Sequence, residues 1–329
     1  MRGRFFGKET IVMLKEKGFY KGINLGGWLS QCDYSEWRLN NFIKEKDFAL
    51  IKEYGFDHVR IPIDYNVIQN NDGTIKEEGL KKIDGALELS SRYGLKTVLD
   101  LHKTQGFSFD RGEHESGFFE NTKYQEYFYA VWETFARRWG SSYETVAFEL
   151  LNEVTEEGYL PKWKEIAREC VKRIRVYATS VIVLLGSYNW NSAKTVQFLD
   201  PPYDSNVIYN FHFYEPHAFT HQGAYWEAPI RDISVRVPYD ESGCSEKYVE
   251  EFIRSALEKA KEENTELYCG EYGVIDVVPT KDAIKWFRDV NKVFEKYGIA
   301  RSLWSYKEMD FGLADSRWDG LRDELLSCI

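Results

Sequence analysis

The chain has 329 residues, which is enough for two average domains or for one α/β barrel. Its formal net charge of −10 argues against nucleic acid and anionic membranes as partners, because both bind basic surfaces. A hydrophobic content of 43% argues against disorder, and no apolar run is long enough for a transmembrane helix.

The 5 cysteines are widely spaced and form no C-x-x-C motif, so we expect reduced thiols and neither a disulfide framework nor a zinc site. The first residues, MRGRFFGKETIVMLKEKGF, lack the apolar segment and the cleavage site of a signal peptide. We therefore expect a cytoplasmic protein, or a secreted one whose signal lies outside this sequence.

Short β-rich runs alternate with amphipathic helical stretches along the chain. Strands are predicted to start at Gly22, His58, Lys96, Val146, Ser180, Val207, Leu267 and Ile299. Helical patterns cover 44–54, 77–93, 122–139, 161–179, 246–263 and 280–297. Eight strands alternating with helices predict a (β/α)8 TIM barrel. A doubly wound open sheet is the alternative, but no G-x-G-x-x-G motif follows the first strand and no P-loop occurs.

Two connections, 103–121 and 215–245, are longer than plain loops, and loops of that length are usually functional or disordered. The second is rich in aromatic residues, and we predict a small subdomain or lid over the barrel mouth. The chain is thus expected to be a single domain over 1–329 with an insert at 215–245, and to act as a monomer.

Polar side chains occur at the C-terminal ends of most of these strands, where barrel active sites lie. These residues are Arg60, His102, Asn152, Glu153, Asn189, Trp190, His212, Tyr214, Glu271 and Trp304. Glu153 and Glu271 follow different strands, and cleavage of a glycosidic bond requires two opposed carboxyl groups, one protonated and one ionised. Arg60 and Tyr214 are expected to keep Glu271 ionised, whereas a partly desolvated Glu153 would keep its proton.

The motifs at these strand ends resemble glycoside hydrolase family 5. They are GINLGGW (22–28), HVRIP (58–62), LDLH (99–102), FELLNE (148–153), NFHFY (210–214), CGEYG (269–273) and LWSYKEMDFG (303–312). The specific part of the resemblance is an Asn-Glu pair after the fourth strand with a Glu after the seventh. The GINLGGW opening, the FELLNE run and the long insert are most similar to clostridial cellulases of the endoglucanase C type.

The resemblance implies a retaining endo-β-1,4-glucanase that acts on β-glucan polysaccharides or oligosaccharides and needs no cofactor. It implies that Glu153 is the acid/base and Glu271 the nucleophile of a double displacement. It also implies that Arg60 and Tyr214 orient and polarise Glu271.

The resemblance gives the remaining polar residues roles in sugar binding. Asn152 would bind the 2-hydroxyl of the sugar in the −1 subsite, and Trp304 would form the floor under that sugar. His102 and His212 would bind hydroxyls or support the glutamates. In this family the bond after the Trp is often cis, so the resemblance also implies a cis peptide between Trp304 and Ser305.

The tryptophans divide into candidates for sugar binding and candidates for the core, because flat indole rings serve both purposes. Trp28, Trp190, Trp226 and the cation Lys307 are the candidates for outer subsites. The remaining tryptophans, predicted to be core, are Trp37, Trp132, Trp139, Trp163, Trp286 and Trp318.

Other functions on the same site stay open at this stage. A β-mannanase, a glucomannanase or a β-1,3-glucanase would keep both glutamates, and the outer loops would decide between them. A carbohydrate-binding protein without catalysis predicts an altered glutamate, but both are present. A metal-dependent hydrolase needs convergent ligands, and His212, His217 and His221 straddle a strand end and the insert, so no metal site is expected.

Overall fold

The computed structural model describes residues 13–110, 112–232 and 236–329. Eight parallel strands pair in sequence order, β1 to β8, and β8 closes onto β1. The strands are β1 Lys21–Asn24, β2 His58–Asp64, β3 Lys96–Lys103, β4 Val146–Glu149, β5 Ile182–Gly186, β6 Val207–Phe213, β7 Leu267–Tyr272 and β8 Ala300–Leu303. The predicted (β/α)8 TIM barrel is therefore confirmed.

The α-helices lie between the strands and at the barrel rim. They are α1 Glu36–Asn41, α2 Glu45–Glu53, α3 Tyr65–Ile68, α4 Glu77–Arg92, α5 Thr122–Trp139, α6 Leu160–Arg175, α7 Tyr188–Asn191, α8 His217–Thr220, α9 Glu246–Glu262, α10 Thr280–Tyr297 and α11 Arg322–Leu326. The six longest match the six helical patterns of the sequence. Between β5 and β6, where no such pattern was found, the connection contains the short helix α7 and a 3-10 helix, Ala193–Phe198.

The hydrophobic core has two parts. The larger part lies between the barrel wall and the surrounding helices, and it contains apolar residues from all eight strands. The smaller part fills the lower barrel interior, where Leu14, Phe19 and Tyr20 meet inward-facing strand residues such as Val98 and Ile208. The segment before β1 thus closes the end of the barrel opposite the predicted site, as expected when barrel interiors are packed with side chains.

The tryptophan predictions for the core are correct with one exception. Trp132, Trp139, Trp163, Trp286 and Trp318 are all buried. Trp37 was predicted to be core but is 67% exposed on α1, so that prediction is wrong. The six-residue helix lies on the rim and buries only Leu39, which leaves the indole in solvent.

The insert between β6 and α9 contains α8 and a 3-10 helix, Tyr239–Glu241. Several hydrogen bonds fix it to the barrel: the indole N–H of Trp286 donates to the main-chain oxygen of Glu215, and the N–H of Ile275 donates to that of Thr220. Among the described residues, no helix has the length and apolar character needed to cross a membrane.

Candidate active site

The predicted polar residues meet at the C-terminal end of the barrel. Arg60 lies on β2, His102 on β3, His212 on β6 and Glu271 on β7. Asn152 and Glu153 follow β4, Tyr214 follows β6, and Trp304 follows β8. Neighbouring parallel strands end at the same rim, so residues far apart in sequence become neighbours in space.

Arg60 is the centre of the site, and its side chain is fully buried. Its Nε and Nη2 bind the two carboxylate oxygens of Glu149 at 2.7 Å each. Its Nη1 donates to Glu271 Oε1 at 2.8 Å, and Nη2 lies 3.0 Å from both Asp100 Oδ2 and Asn152 Oδ1. A planar guanidinium can bind several carboxylates and amides in this way without leaving its own donors unpaired.

Glu271 receives two hydrogen bonds from charged or polar donors. Arg60 binds Oε1, and the Tyr214 hydroxyl donates to Oε2 at 2.8 Å. Burial raises the pKa of Glu271, while Arg60, His102 and the Tyr214 hydrogen bond act in the opposite direction. Both donors stabilise the carboxylate form, so this glutamate is the one suited to be ionised.

Glu153 has a different environment. Its carboxylate Oε1 lies 2.7 Å from His212 Nδ1, and in the part of the chain that the structure describes no arginine pairs with it. Burial and the nearby negative charge of Glu271 raise the pKa of Glu153 well above its ordinary value. Burial, together with Arg60, lowers the pKa of His212 well below its ordinary value, so the imidazole is neutral. Glu153 is therefore the glutamate suited to hold a proton.

The two carboxyl groups are close together. Oxygens of Glu153 and Glu271 and a ring nitrogen of His212 all lie within 4.8 Å of one another. Within the described part of the chain, this is the one cluster whose ligand atoms are spaced as a metal ion would require. Arg60, Tyr214 and His212 already bind these carboxylates. His217 and His221 are not part of this cluster and stack on each other in the insert.

Glu153 has an unusual backbone conformation. Its φ angle is 29°, in the left-handed region that residues other than glycine rarely adopt. Strained residues of this kind concentrate at functional sites, where the surrounding structure holds them in place.

His102 and Trp304 line another part of the mouth. His102 Nδ1 lies 2.6 Å from Asp100 Oδ2 and its Nε2 lies 3.1 Å from Gln31 Oε1. The rings of His102 and Trp304 are parallel within 3°, with centroids 5.8 Å apart. The peptide bond between Trp304 and Ser305 is cis, as the resemblance implied.

Glycine at Gly273 allows the strand-end loops to approach Trp304. A Cβ atom at this position would lie 2.4 Å from the main-chain oxygen of Trp304, which is closer than atoms can pack. Any side chain at this position of the CGEYG motif would clash with Trp304, which explains why a glycine stands there. The glycine directly follows the strand that carries Glu271.

The candidates for outer subsites lie in unequal environments. Trp28 is 6% exposed, and its indole N–H donates to the main-chain oxygen of Leu39, so packing already uses most of this side chain. Lys307 binds Asp47 at 3.1 Å. Trp190 is partly exposed and has left-handed backbone geometry, and Trp226 is 49% exposed in the insert.

Sequence reasoning missed the second layer of the site. The carboxylates of Asp100 and Glu149 form ion pairs with the Arg60 guanidinium, and Asn24 Oδ1 accepts a hydrogen bond from Arg60 Nη1 at 2.8 Å. Asn210 donates to Glu149 at 2.8 Å. A signal for these residues was present, because Asp100 lies between two leucines of β3 and Glu149 ends the apolar run of β4, and a buried carboxylate requires a partner.

A family model for cellulase, glycosyl hydrolase family 5, matches residues 17–310. The chain therefore belongs to this family and is a glycoside hydrolase, in agreement with the resemblance described above.

Individual relatives agree with this assignment. Cellodextrinase A of Ruminococcus flavefaciens is 57% identical over 289 residues, which cover 88% of this chain and 86% of that protein. Endoglucanase C of Acetivibrio thermocellus is 36% identical over 337 residues, which cover 94% and 98%. The crystal structure of the endoglucanase Cel5A from Thermotoga maritima superposes with a TM-score of 0.82 at 27% identity, over 96% of this chain and 98% of that one.

Proposed function

We propose that this protein hydrolyses internal β-1,4-glucosidic bonds of soluble β-glucans with retention of configuration at the anomeric carbon. The observation that carries the proposal is the pair Glu153 and Glu271, whose carboxylate oxygens lie within 4.8 Å. Retaining glycosidases hold these groups about 5–5.5 Å apart, whereas inverting enzymes need about 6.5–9.5 Å to admit a water molecule.

In the first step, Glu271 attacks the anomeric carbon while Glu153 gives its proton to the leaving oxygen. The proton assignment is supported by the environments: Arg60 and Tyr214 bind Glu271, and no arginine or lysine among the described residues pairs with Glu153. In the second step, Glu153, now ionised, takes a proton from water, and that water releases the sugar from Glu271.

Other residues of the mouth would bind the sugar. Asn152 accepts from Arg60 through Oδ1, and its buried Nδ2 has no hydrogen-bond partner among the described residues, so it is available to a sugar hydroxyl. Trp304 would form the floor of the −1 subsite beside His102. For the outer subsites we propose Trp190 and Trp226. The packing of Trp28 and Lys307 against the barrel favours a structural role for both.

The test is release of reducing ends from carboxymethylcellulose, mixed-linkage β-glucan, glucomannan, mannan and laminarin, with Glu271→Gln as the blank. Rapid release from the first two, lost in the blank, is the expected result. NMR of the first product formed should show the β-anomer, since double displacement retains configuration. Release from mannan or laminarin alone would contradict the proposed substrate, and a first product with the α-configuration would contradict the mechanism.

Short β-1,4-linked oligosaccharides are a second candidate substrate class. The observation in favour is the 57% identity to a protein named Cellodextrinase A. Comparing kcat/KM on cellotriose to cellohexaose with the rate on carboxymethylcellulose separates the two. An endoglucanase should rapidly lower the viscosity of the polymer, whereas an enzyme for short chains should release sugar with little change in viscosity.

A further inference from the structure

Two successive residues of the insert hold Tyr214, the residue that donates to Glu271. The Thr220 hydroxyl donates to the main-chain oxygen of Tyr214. Because its single hydrogen is used there, Thr220 Oγ1 accepts from His221 Nδ1 at 3.0 Å. The His221 ring in turn contacts the Tyr214 ring edge to face, with centroids 4.9 Å apart and planes at 80°. The backbone and the ring of Tyr214 are thus fixed from the same side.

His221 is itself held by its neighbours. It stacks on His217 with ring centroids 4.2 Å apart, and His217 Nε2 lies 2.7 Å from Glu227 Oε2. On another side it contacts Phe311 at 5.4 Å. Burial and the adjacent His217 lower the pKa of His221 to about 3, so the ring stays neutral at ordinary pH.

The same segment is connected to the strand that carries the nucleophile. The N–H of Ile275, which follows β7, donates to the main-chain oxygen of Thr220 at 2.9 Å. Within the described part of the chain, two rings contact that of Tyr214, namely His221 and Phe311. Removal of His221 would therefore free one side of the phenol, whose hydroxyl must stay 2.8 Å from Glu271 Oε2.

We propose that His221, supported by Thr220 and His217, is a positioning residue that sets the Tyr214 hydroxyl against Glu271. This inference rests on the proposed function, in which Glu271 is the nucleophile. It gives the insert a role in the first chemical step. A misplacement of about 1 Å in an active site can lower a rate about 100-fold. Loss of the contact between His221 and Tyr214 should therefore have a measurable effect on kcat.

A double-mutant cycle tests the proposal, with His221→Ala, Tyr214→Phe and the combined variant assayed on an aryl β-cellobioside. His221→Ala should lower kcat about 10- to 100-fold with little change in KM. In the Tyr214→Phe background the same substitution should have almost no further effect, because the hydroxyl that it positions is already absent. Equal losses in both backgrounds would overturn the proposal.

A control variant separates this contact from general loosening of the insert. Gln222→Ala removes hydrogen bonds to the main chain of Phe219 and Val237, and none of these bonds involves Tyr214. It should leave kcat near the wild-type value. His221→Phe keeps a ring against Tyr214 and should recover most of the rate lost in His221→Ala; failure to recover it would count against ring packing as the cause.

A structural readout does not depend on activity. In a crystal structure of His221→Ala, the distance between Tyr214 Oη and Glu271 Oε2 should exceed hydrogen-bond length, and in wild type it should stay near 2.8 Å. An unchanged distance in the folded variant would overturn the proposal, whatever the substrate panel shows. An inactive wild-type protein with a displaced Tyr214 in the variant would instead contradict the proposed function alone.

Discussion

Replacing Arg60 by Met should destabilise the protein in a pH-dependent way. Asp100, Glu149 and Glu271 all bind this one guanidinium, and all three carboxyl groups are buried. Methionine preserves much of the volume but leaves the carboxylates without a cation. Removing one partner of a buried ion pair costs about 3–5 kcal/mol, so we expect a loss of at least that size in the free energy of unfolding at pH 8.

The sign of the pH dependence follows from the carboxyl pKa values. Burial already raises the pKa of Asp100 to about 7 and that of Glu149 above its ordinary value, and Arg60 opposes both shifts. Without Arg60 the folded-state pKa values rise further above the unfolded ones. Groups shifted in this direction contribute stability at pH values below their unfolded pKa, and the contribution is lost as pH rises through the folded pKa. As the pH falls, the loss of unfolding free energy caused by Arg60→Met should therefore shrink. The change should be about 1.4 kcal/mol per pH unit for each carboxyl that regains its proton.

The assay is urea unfolding followed by tryptophan fluorescence at pH 5 and pH 8. Arg301→Met is the matched control, because Arg301 is also buried but binds Asn291 and Glu295, and the Glu295 side chain is 41% exposed to water. The control should lose stability nearly equally at both pH values. A deficit for Arg60→Met that does not grow between pH 5 and pH 8 would refute the reasoning.

Three further predictions concern activity. Glu153→Ala should lower kcat about 10²- to 10⁴-fold on a substrate with a poor leaving group. On an activated aryl glycoside, added azide should restore turnover because it replaces water as the nucleophile of the second step. Absence of this rescue would argue against Glu153 as the acid/base. Tyr214→Phe removes a hydrogen bond that lowers the pKa of Glu271, so the acid limb of the profile of kcat/KM against pH should move to higher pH. An acid limb that does not move would contradict the assignment of Glu271 as the ionised nucleophile. Trp226→Ala should raise KM for mixed-linkage β-glucan several-fold with kcat unchanged. Trp37→Ala, which removes a more exposed tryptophan on α1, should leave KM unchanged.

The barrel itself could be predicted from the sequence because its strands are short and mostly apolar, and because helical patterns separate most of them. Each predicted strand start lies within two residues of the observed one. The rim residues followed from the same pattern, since a polar group at the end of an apolar strand has to meet other polar groups.

The second layer of the site could not be predicted in this way. Asp100 and Glu149 lie inside strands, and the strand pattern gives no information on which way a buried carboxylate turns. Pairing places Asp100 beside Glu149 in the β3–β4 register, and only this register brings both to Arg60. The exposure of Trp37 was missed for a related reason: whether a short rim helix buries its aromatic residue depends on tertiary packing.

The difference between the two glutamates arises from how one positive charge is distributed. Arg60 contacts Glu271 and not Glu153, although both carboxyl groups lie in the same mouth. Asp100 and Glu149 fix the plane of the guanidinium, so Nη1 has a fixed direction, toward Glu271 and Asn24. Burial and the negative charge of Glu271 raise the pKa of Glu153, and Arg60, which is not bonded to Glu153, opposes this rise only in part. The acid and the nucleophile are thus distinguished by a residue on β2 that lies outside both motifs carrying the glutamates.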